Sequence, residues 1–220
     1  MPDQVENKHT SRSARTRERF IQAALKLYAN RSIDGVSLNE VTAAAGQKNR
    51  NALQYHFGNK AGLLQAIVSQ HSAEVASLRS RYCSESALDK YSAQEAAAHA
   101  LVTPVIQYLE QSSEGIYYVK LLSQLSSINH AVTNPGERSS LSPQEHPELR
   151  ELFNAALSHL DNLEAQQRLF LVVSMTFHGI ADICRISGDA QTGKALVQRE
   201  PMFEQLIGAI AALLQAPPRG

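Results

Sequence analysis

The sequence predicts an all-α protein with a small N-terminal helical domain and a larger helical domain after it. Apolar residues recur at helical spacing along most of the chain, and no alternating strand pattern of useful length interrupts them. Residues 1–60 hold 10 Lys and Arg against 5 Asp and Glu, whereas residues 61–220 hold 11 against 16. This asymmetry predicts that only the N-terminal part of the chain meets a polyanion.

The N-terminal region divides into a tail and a first helix. Residues 1–14 are polar and show no apolar period, so we expect a flexible tail there. From Arg15 onwards one helical face is apolar, until the stretch from Asn30 to Gly35 ends the helix; that face carries Phe20, Ile21, Ala24, Leu27 and Tyr28.

A short second helix has a complete start signal. Ser37 can cap it, and Glu40 can bond back to the Ser37 N–H, which is a capping box. Val36 and Val41 flank the cap as a hydrophobic staple, and Gly46 supplies the left-handed residue that ends the helix. So short a helix is not stable alone and must pack on its neighbours.

A third helix, expected over residues 49–57, combines a small apolar anchor with a polar face. Ala52, Leu53 and Phe57 recur about one turn apart, and the other positions are mostly donors. Arg and Lys suit guanine, Asn and Gln suit adenine, and aromatic rings pack on thymine methyl groups. A solvated helix face is the alternative for such a helix taken alone. With the capped helix and the local positive charge, residues 15–60 are predicted to form a helix-turn-helix that reads DNA.

The remaining chain is expected to continue as helices. Asn59 caps a fourth helix from Lys60 to about Arg79, so residues 61–82 are assigned as a connecting helix and residues 83–220 as the second domain. Further helices are expected at about 93–111, 114–130, 147–160, 164–187 and 201–215. The loop between residues 131 and 146 is long for a compact domain, so it is expected to be mobile or functional.

Ordered motifs between residues 15 and 70 resemble those of the TetR family of repressors. They are Phe20-Ile21-Gln22-Ala23-Ala24, Gly35-Val36-Ser37, Glu40-Val41, Ala45-Gly46, Ala52-Leu53-Gln54-Tyr55-His56-Phe57 and Asn59-Lys60-Ala61-Gly62-Leu63-Leu64. The resemblance implies a homodimer whose recognition helices lie in successive major grooves of a palindromic operator. It also implies that a small molecule, bound in the C-terminal domain, changes the separation of those helices. This chain has one residue more between Gly46 and Ala52 than the commonest family spacing.

The resemblance assigns roles on double-stranded DNA. Arg50, Asn51 and Gln54 are expected to read bases, and Tyr55 and His56 match positions that touch the backbone or thymine methyl groups. For Tyr55 the alternative is partial core packing. Phosphate contacts are expected from Lys60, Ser37 and Thr42. For Ser37, capping alone is an equal alternative. The full predicted set is Ser37, Thr42, Lys48, Asn49, Arg50, Asn51, Gln54, Tyr55, His56 and Lys60.

The last two helices are predicted to form the dimer seam. Both are apolar on more than one face, which indicates burial on two sides, one of them against a partner subunit. The alternative is that both fill a monomer core. The predicted seam residues are Phe170, Val173, Phe177, Ile180, Phe203, Leu206, Ile210 and Leu213.

A pocket for the unknown small-molecule effector is expected in the second domain. Such pockets have apolar linings with a few polar groups. Side chains of that kind on the helices between residues 93 and 187 are His99, Tyr108, Tyr117, Tyr118, Gln124, Phe153, Met175 and His178. An ordinary core position is the alternative for each.

No metal or cofactor is expected. His178 and Asp182 are four residues apart, but no third ligand follows at helical spacing, so a surface hydrogen-bonded pair is favoured over a metal site. Cys83 and Cys184 lack metal-type spacing and are expected to be free thiols. With no membrane-length apolar run and no apolar segment in the first 14 residues, a cytoplasmic protein is expected.

The predicted function is a transcription regulator, specifically a repressor that leaves its operator when the effector binds. One alternative is an all-α enzyme using histidines or a metal, although the eight histidines are scattered. Another is an architectural DNA-binding protein without a ligand, for which so large a second domain has no evident purpose.

Overall fold

The computed structural model describes residues 3–49, 51–84, 88–128, 146–187 and 198–218, with side chains from Ser13 onwards except at 127 and 128. These residues form helices and their connections, so the predicted all-α class is confirmed. The helices are α1 (Asp3–Asn30), α2 (Leu38–Ala44), α3 (Asn51–Phe57), α4 (Lys60–Ser84), α5 (Ala93–Gln111), α6 (Gly115–Ile128), α7 (Pro147–Ala156), α8 (Asn162–Ser187) and α9 (Arg199–Gln215).

The chain divides into two compact units, and the boundary falls within α4, between His71 and Ser72. We had predicted a helix-turn-helix over 15–60, a separate connecting helix over 61–82 and a second domain from residue 83. The first two turns of α4 bury Leu63, Leu64 and Ile67. They are therefore part of the N-terminal core.

The N-terminal unit is built on α1, which packs against α2 and α3. Its apolar face is the one that the sequence predicts, and Phe20, Ile21 and Leu25 on it are fully buried. Leu53 from α3 and Leu63 from α4 complete this core. Short helices that are unstable alone are thus held by tertiary packing.

The flexible tail predicted over residues 1–14 is corrected, because α1 begins at Asp3. The prediction relied on apolar periodicity, which is not the only sequence feature that favours a helix. Gln4, Glu6, Lys8, Arg12 and Ala14 in this stretch are good helix formers.

The second unit is organised around α5, which packs against α6, α7, α8 and α9. Alanines such as Ala97, Ala98 and Ala100 let neighbouring helices approach it closely, and all three are buried. Pro104 lies inside α5 and is also buried. Cys83 and Cys184 are both free thiols, as expected.

Helix ends differ from the predictions by a few residues. Helix α7 ends at Ala156 where we expected about residue 160. Helix α8 begins at Asn162, two residues early, and the Asp161 Oδ1 accepts a hydrogen bond from the Glu164 N–H at 2.8 Å. A side-chain cap of this kind marks a helix start. The loop predicted over 131–146 lies almost wholly outside the described residues.

Helix α8 is long and apolar enough to cross a membrane, by length and composition alone. One such helix is weak evidence, because core helices of globular proteins pass the same test. Val172, Thr176 and Ile180 along one side of α8 are fully buried in this unit. We therefore read α8 as a packing helix of the second unit.

Candidate nucleic-acid interface

The start of α2 is fixed by the predicted capping box. The Ser37 Oγ accepts from the Glu40 N–H at 3.2 Å, and the Glu40 Oε2 accepts from the Ser37 N–H at 2.9 Å. Arg31 donates to the Glu40 Oε1 at 2.5 Å and to the Gly35 carbonyl at 2.8 Å. These bonds lower the pKa of Glu40 to about 2. Arg31 thus ties the end of α1 to the start of α2.

The end of α2 sets the direction in which the chain enters α3. Gly46 has φ 66°, the left-handed conformation that glycine adopts without strain. The Gly46 N–H donates to the Ala43 carbonyl at 3.0 Å, and the Gln47 N–H to the Thr42 carbonyl at 3.1 Å. This pair of bonds is a Schellman motif, so the turn is fully hydrogen-bonded without side chains.

Helix α3 has one buried and one exposed face. Leu53 is buried, while Asn51, Gln54 and Tyr55 are exposed, Tyr55 to 83%. Spacings of three and four residues put these three side chains on one side of the helix. We call Asn51, Gln54 and Tyr55 the reading face.

Asn49 helps to start α3. The Asn49 Oδ1 accepts from the Asn51 N–H at 2.9 Å, and the Asn49 carbonyl accepts from the Ala52 N–H at 3.2 Å. Asn49 and Lys48 are both exposed next to the reading face. Helix α3 begins at Asn51 rather than at residue 49, because Asn49 occupies a capping position.

The other end of α3 is held against the first turn of α4. The Asn59 Oδ1 accepts from the Gly62 N–H at 2.9 Å, as expected of a cap. A Cβ atom at Gly62 would lie 2.0 Å from the Phe57 carbonyl oxygen. Only glycine allows this approach, so Gly62 helps to fix the orientation of the reading face.

Four predicted DNA contacts are engaged within the N-terminal unit, and two of these predictions are corrected. Thr42 is only 5% exposed, and its hydroxyl donates to the Leu38 carbonyl at 2.8 Å. The Lys60 Nζ donates to the Val36 carbonyl at 2.9 Å and lies over the Tyr28 ring. Both assignments to phosphate are therefore withdrawn, and Lys60 becomes a residue that positions α4. The Ser37 hydroxyl donates to the Glu40 Oε2 at 2.8 Å, which favours the capping alternative.

His56 is the fourth engaged residue. Its half-buried ring lies 6.2 Å from that of Phe20 and 5.2 Å from that of Tyr55. Burial, with a smaller contribution from Arg17, lowers the pKa of His56. His56 thus packs α3 against α1 and is not a free reader. Arg50 lies outside the described residues. The exposed predicted residues are Ser37, which is engaged in the capping box, and Lys48, Asn49, Asn51, Gln54 and Tyr55.

In the second unit, the predicted effector residues do not gather around one described cavity. Tyr108, Tyr118 and Phe153 are buried, Tyr117, Gln124 and Met175 are half-buried, and His178 is exposed. His178 is therefore withdrawn as a pocket residue. A groove of about 500 Å³ lies between α5 and α9, and His99 is the one predicted residue that lines it, with Ser92, Gln94, Glu95, Glu204, Ile207, Gly208, Ala211, Ala212 and Gln215.

The predicted seam residues divide into two groups. Ile180, Phe203 and Ile210 are buried within their own subunit and are withdrawn from the seam. The inward faces of α8 and α9 use them for the core of the second unit. The second group is only partly buried in the single chain, and it consists of Phe170, Val173, Phe177, Leu206 and Leu213.

Sequence reasoning missed two exposed leucines on α8. Leu163 is 65% exposed and Leu171 is 49% exposed. The spacing of seven residues puts Leu163, Phe170 and Phe177 on one side of α8, opposite the buried Val172. We call these three residues the α8 stripe. The seven-residue repeat was the signal in the sequence that could have found Leu163.

No group of three or more His, Cys, Asp and Glu residues able to hold a metal occurs in the described part of the chain. Asp182 forms an ion pair with Arg185, three residues later. The absence of a metal or cofactor stays a prediction, which metal analysis of the purified protein would test.

Residues 20–67, which contain the capping box, the reading face and the start of α4, match a family model described as bacterial regulatory proteins, tetR family. Among solved structures, the chain is similar to one named as a candidate TetR-family transcriptional regulator from Mesorhizobium loti MAFF303099. The identity is 18%, the match covers 92% of this chain and 96% of that chain, and the TM-score is 0.39. A likeness this low carries no functional information. No curated protein matches the sequence at a significant level.

Proposed function

We propose that this chain, whose residues 20–67 match the model of the tetR family of bacterial regulatory proteins, is a DNA-binding transcription regulator of that family, and specifically a cytoplasmic repressor that binds a palindromic operator as a homodimer. We further propose that it leaves the operator when a small molecule binds the C-terminal domain. The observation that carries the proposal is the reading face. Its donors point away from the core on a helix that Leu53, the Schellman turn and Gly62 hold in place.

Direct reading of bases is assigned to Asn51 and Gln54, with Arg50 assigned by its place in the sequence. Carboxamides pair with adenine N6 and N7, and arginine pairs with guanine O6 and N7. Tyr55 has an exposed ring and hydroxyl suited to a thymine methyl group or a phosphate. Lys48 and Asn49 are placed to contact phosphates, which position a protein on DNA without selecting a sequence.

The homodimer is proposed to form through the α8 stripe. Leu163, Phe170 and Phe177 are large apolar residues on the side of α8 that faces away from its own core. A two-fold axis beside α8 would bury the same stripe from both subunits. Leu171, Val173, Leu206 and Leu213, which are not fully buried in the single chain, are proposed to add to this surface.

Release from the operator is proposed to be a population shift. The effector binds more tightly to the conformation whose two reading faces are wrongly spaced for successive major grooves. DNA and effector then weaken each other's binding by the same factor, because the coupling is reciprocal. An effector with equal affinity for both conformations would shift nothing.

Selection of bound fragments from genomic DNA tests this proposal. We expect enrichment of a palindrome whose half-sites are one helical turn apart, bound by a dimer, with affinity that falls steeply as salt rises. Phe170→Glu should give monomers in sedimentation and should bind the palindrome no better than a single half-site. Gln111→Glu, a polar change of the same charge at an exposed position on α5, is the matched control. A protein that enriches no sequence, or that stays monomeric at every concentration, would refute the proposal.

A further inference from the structure

A proline in α5 leaves a backbone carbonyl without its helical partner. In an α-helix the Ala100 carbonyl would accept from the N–H of residue 104, but Pro104 has no N–H. The Arg79 Nε, on α4, donates to this carbonyl at 3.0 Å. One edge of the Arg79 guanidinium therefore repairs the break that Pro104 makes in α5.

The rest of that guanidinium is buried with donors to spare. Arg79 is only 4% exposed, and its Nη1 has no hydrogen-bond partner. Within the described ranges, Arg79 forms no ion pair. Glu148 lies near enough to affect the Arg79 pKa, but its Oε1 accepts from the Ser80 hydroxyl at 2.7 Å. Burying an arginine charge with donors unpaired is strongly unfavourable.

A second buried arginine in the same unit shows the usual solution. Arg168 is 7% exposed, and it donates to the Glu164 Oε1 at 2.7 Å and to the carbonyls of Ala216 and Pro217. Its charge and its donors are therefore both satisfied inside the chain. Arg79 is as buried as Arg168, but no carboxylate of the described chain is in direct contact with it.

The groups around Arg79 are aromatic as well as polar. Tyr118 is 3% exposed, lies close enough to Arg79 to interact with it electrostatically, and packs edge-on against Tyr108 with ring centroids 5.9 Å apart. The surroundings of Arg79 in the second unit therefore include buried aromatic rings as well as polar groups. That combination suits an organic acid better than a free inorganic ion.

We propose that Arg79 is the counter-ion for a carboxylate group of the effector, so that the effector is an organic acid with an apolar body. This rests on the proposed function only in supposing that the second unit binds an effector. A guanidinium presents N–H groups in a fork that matches a carboxylate, and burial strengthens the pairing. Binding would supply a carboxylate in direct contact with Arg79, which the described chain does not place there.

Thermal unfolding of the full chain tests the proposal without DNA. The probes are straight-chain acids from butanoate to decanoate, benzoate and phenylacetate, each paired with its primary amide, together with inorganic phosphate. We expect at least one carboxylate to raise the Tm by about 5–10 °C at a hundredfold excess over its Kd. The corresponding primary amide should not raise the Tm, because it lacks the negative charge.

Arg79→Gln should abolish that shift, and Arg81→Gln, an exposed change on the same helix, should keep it. If Arg79→Gln does not fold, Arg79→Lys keeps the charge without the fork and should weaken carboxylate binding at least tenfold. No carboxylate shift, an equal shift with the amide, a shift with phosphate alone, or a shift retained without Arg79 would overturn the inference. Failure of the wild type to bind any DNA sequence would instead remove the proposed function.

Discussion

The spare hydrogen-bond donors of the reading face in the N-terminal unit are exposed to water, whereas the spare donor of Arg79 in the second unit is buried. Asn51 and Gln54 on α3 are exposed, so their side chains are satisfied by solvent until a partner arrives. Arg79 on α4 is buried, so its Nη1 is not. An exposed donor thus costs little free energy and says little by itself, whereas a buried one points to a missing partner.

The difference also separates the two kinds of argument. The reading face is assigned a role because the capping box, the Gly46 turn and the Gly62 contact fix its orientation. Arg79 is assigned a role because the described chain places no hydrogen-bond acceptor at its buried Nη1. Each argument can be tested by comparing a substitution at a buried position with a substitution at an exposed one.

Replacing the two buried arginines should give the largest contrast in stability. Arg168→Met removes the partner of Glu164 and should lower the free energy of unfolding by roughly 3–5 kcal/mol. Arg79→Met removes an unpaired charge and should change it by less than about 1 kcal/mol, since the lost bond to the Ala100 carbonyl is offset. Urea unfolding of both variants measures the difference. Equal losses would mean that the Arg79 charge is already paired.

The next contrast lies on α3. Leu53→Ala should lower the free energy of unfolding by roughly 2–5 kcal/mol, because it leaves a cavity under the helix. Tyr55→Ala, at an exposed position, should change it by no more than about 0.5 kcal/mol and should weaken operator binding. Circular dichroism and fluorescence anisotropy with a labelled operator give the two readouts. If Tyr55→Ala unfolds the N-terminal unit, the reading face is part of the core.

A smaller loss of stability is expected where α3 meets α4. Gly62→Ala forces a Cβ against the Phe57 carbonyl, so it should destabilise the protein by about 1–3 kcal/mol. Because the reading face would tilt as the contact opens, operator affinity should fall as well. Ala73→Ser, exposed on the same helix, is the control and should leave both quantities within error. Unchanged operator affinity in Gly62→Ala would show that this contact does not position α3.

The smallest effect should come from the capping box at acid pH. The pKa of Glu40 is lowered from 4.5 to about 2 in the folded protein, chiefly by the Ser37 N–H and Arg31. Its contribution to stability is therefore present above pH 4.5 and is lost as the pH falls towards 2. We expect the stability gap between wild type and Glu40→Gln to close over that interval. A gap independent of pH would mean that the carboxylate charge is not what stabilises the cap.

How far the sequence predicted the structure differed between the units. In the N-terminal unit the signals are local, since Ser37 with Glu40, Gly46 and Asn59 act within a few residues, and each formed the predicted cap or turn. The exposure of Thr42 and Lys60 was mispredicted because it depends on the tertiary partners of those side chains.

In the second unit the decisive contacts are long-range. Pro104 predicts that the carbonyl four residues earlier lacks its helical hydrogen bond. The sequence does not show that Arg79 donates to that carbonyl. Ile180 and Ile210 are as apolar as the α8 stripe, and only the packing of α8 on α9 shows which face is turned inward. Periodicity predicted the helices without assigning their faces.

Base preference is the property that most directly tests the central claim, that the exposed face of α3 reads DNA. Binding-site selection should be run on the wild type, Asn51→Ala, Gln54→Ala and the control Gln111→Ala. Each reading-face variant should lose preference at defined positions of both half-sites, with about 1–3 kcal/mol less discrimination there, while Gln111→Ala keeps the wild-type site. Wild-type base preferences in both reading-face variants would contradict the claim.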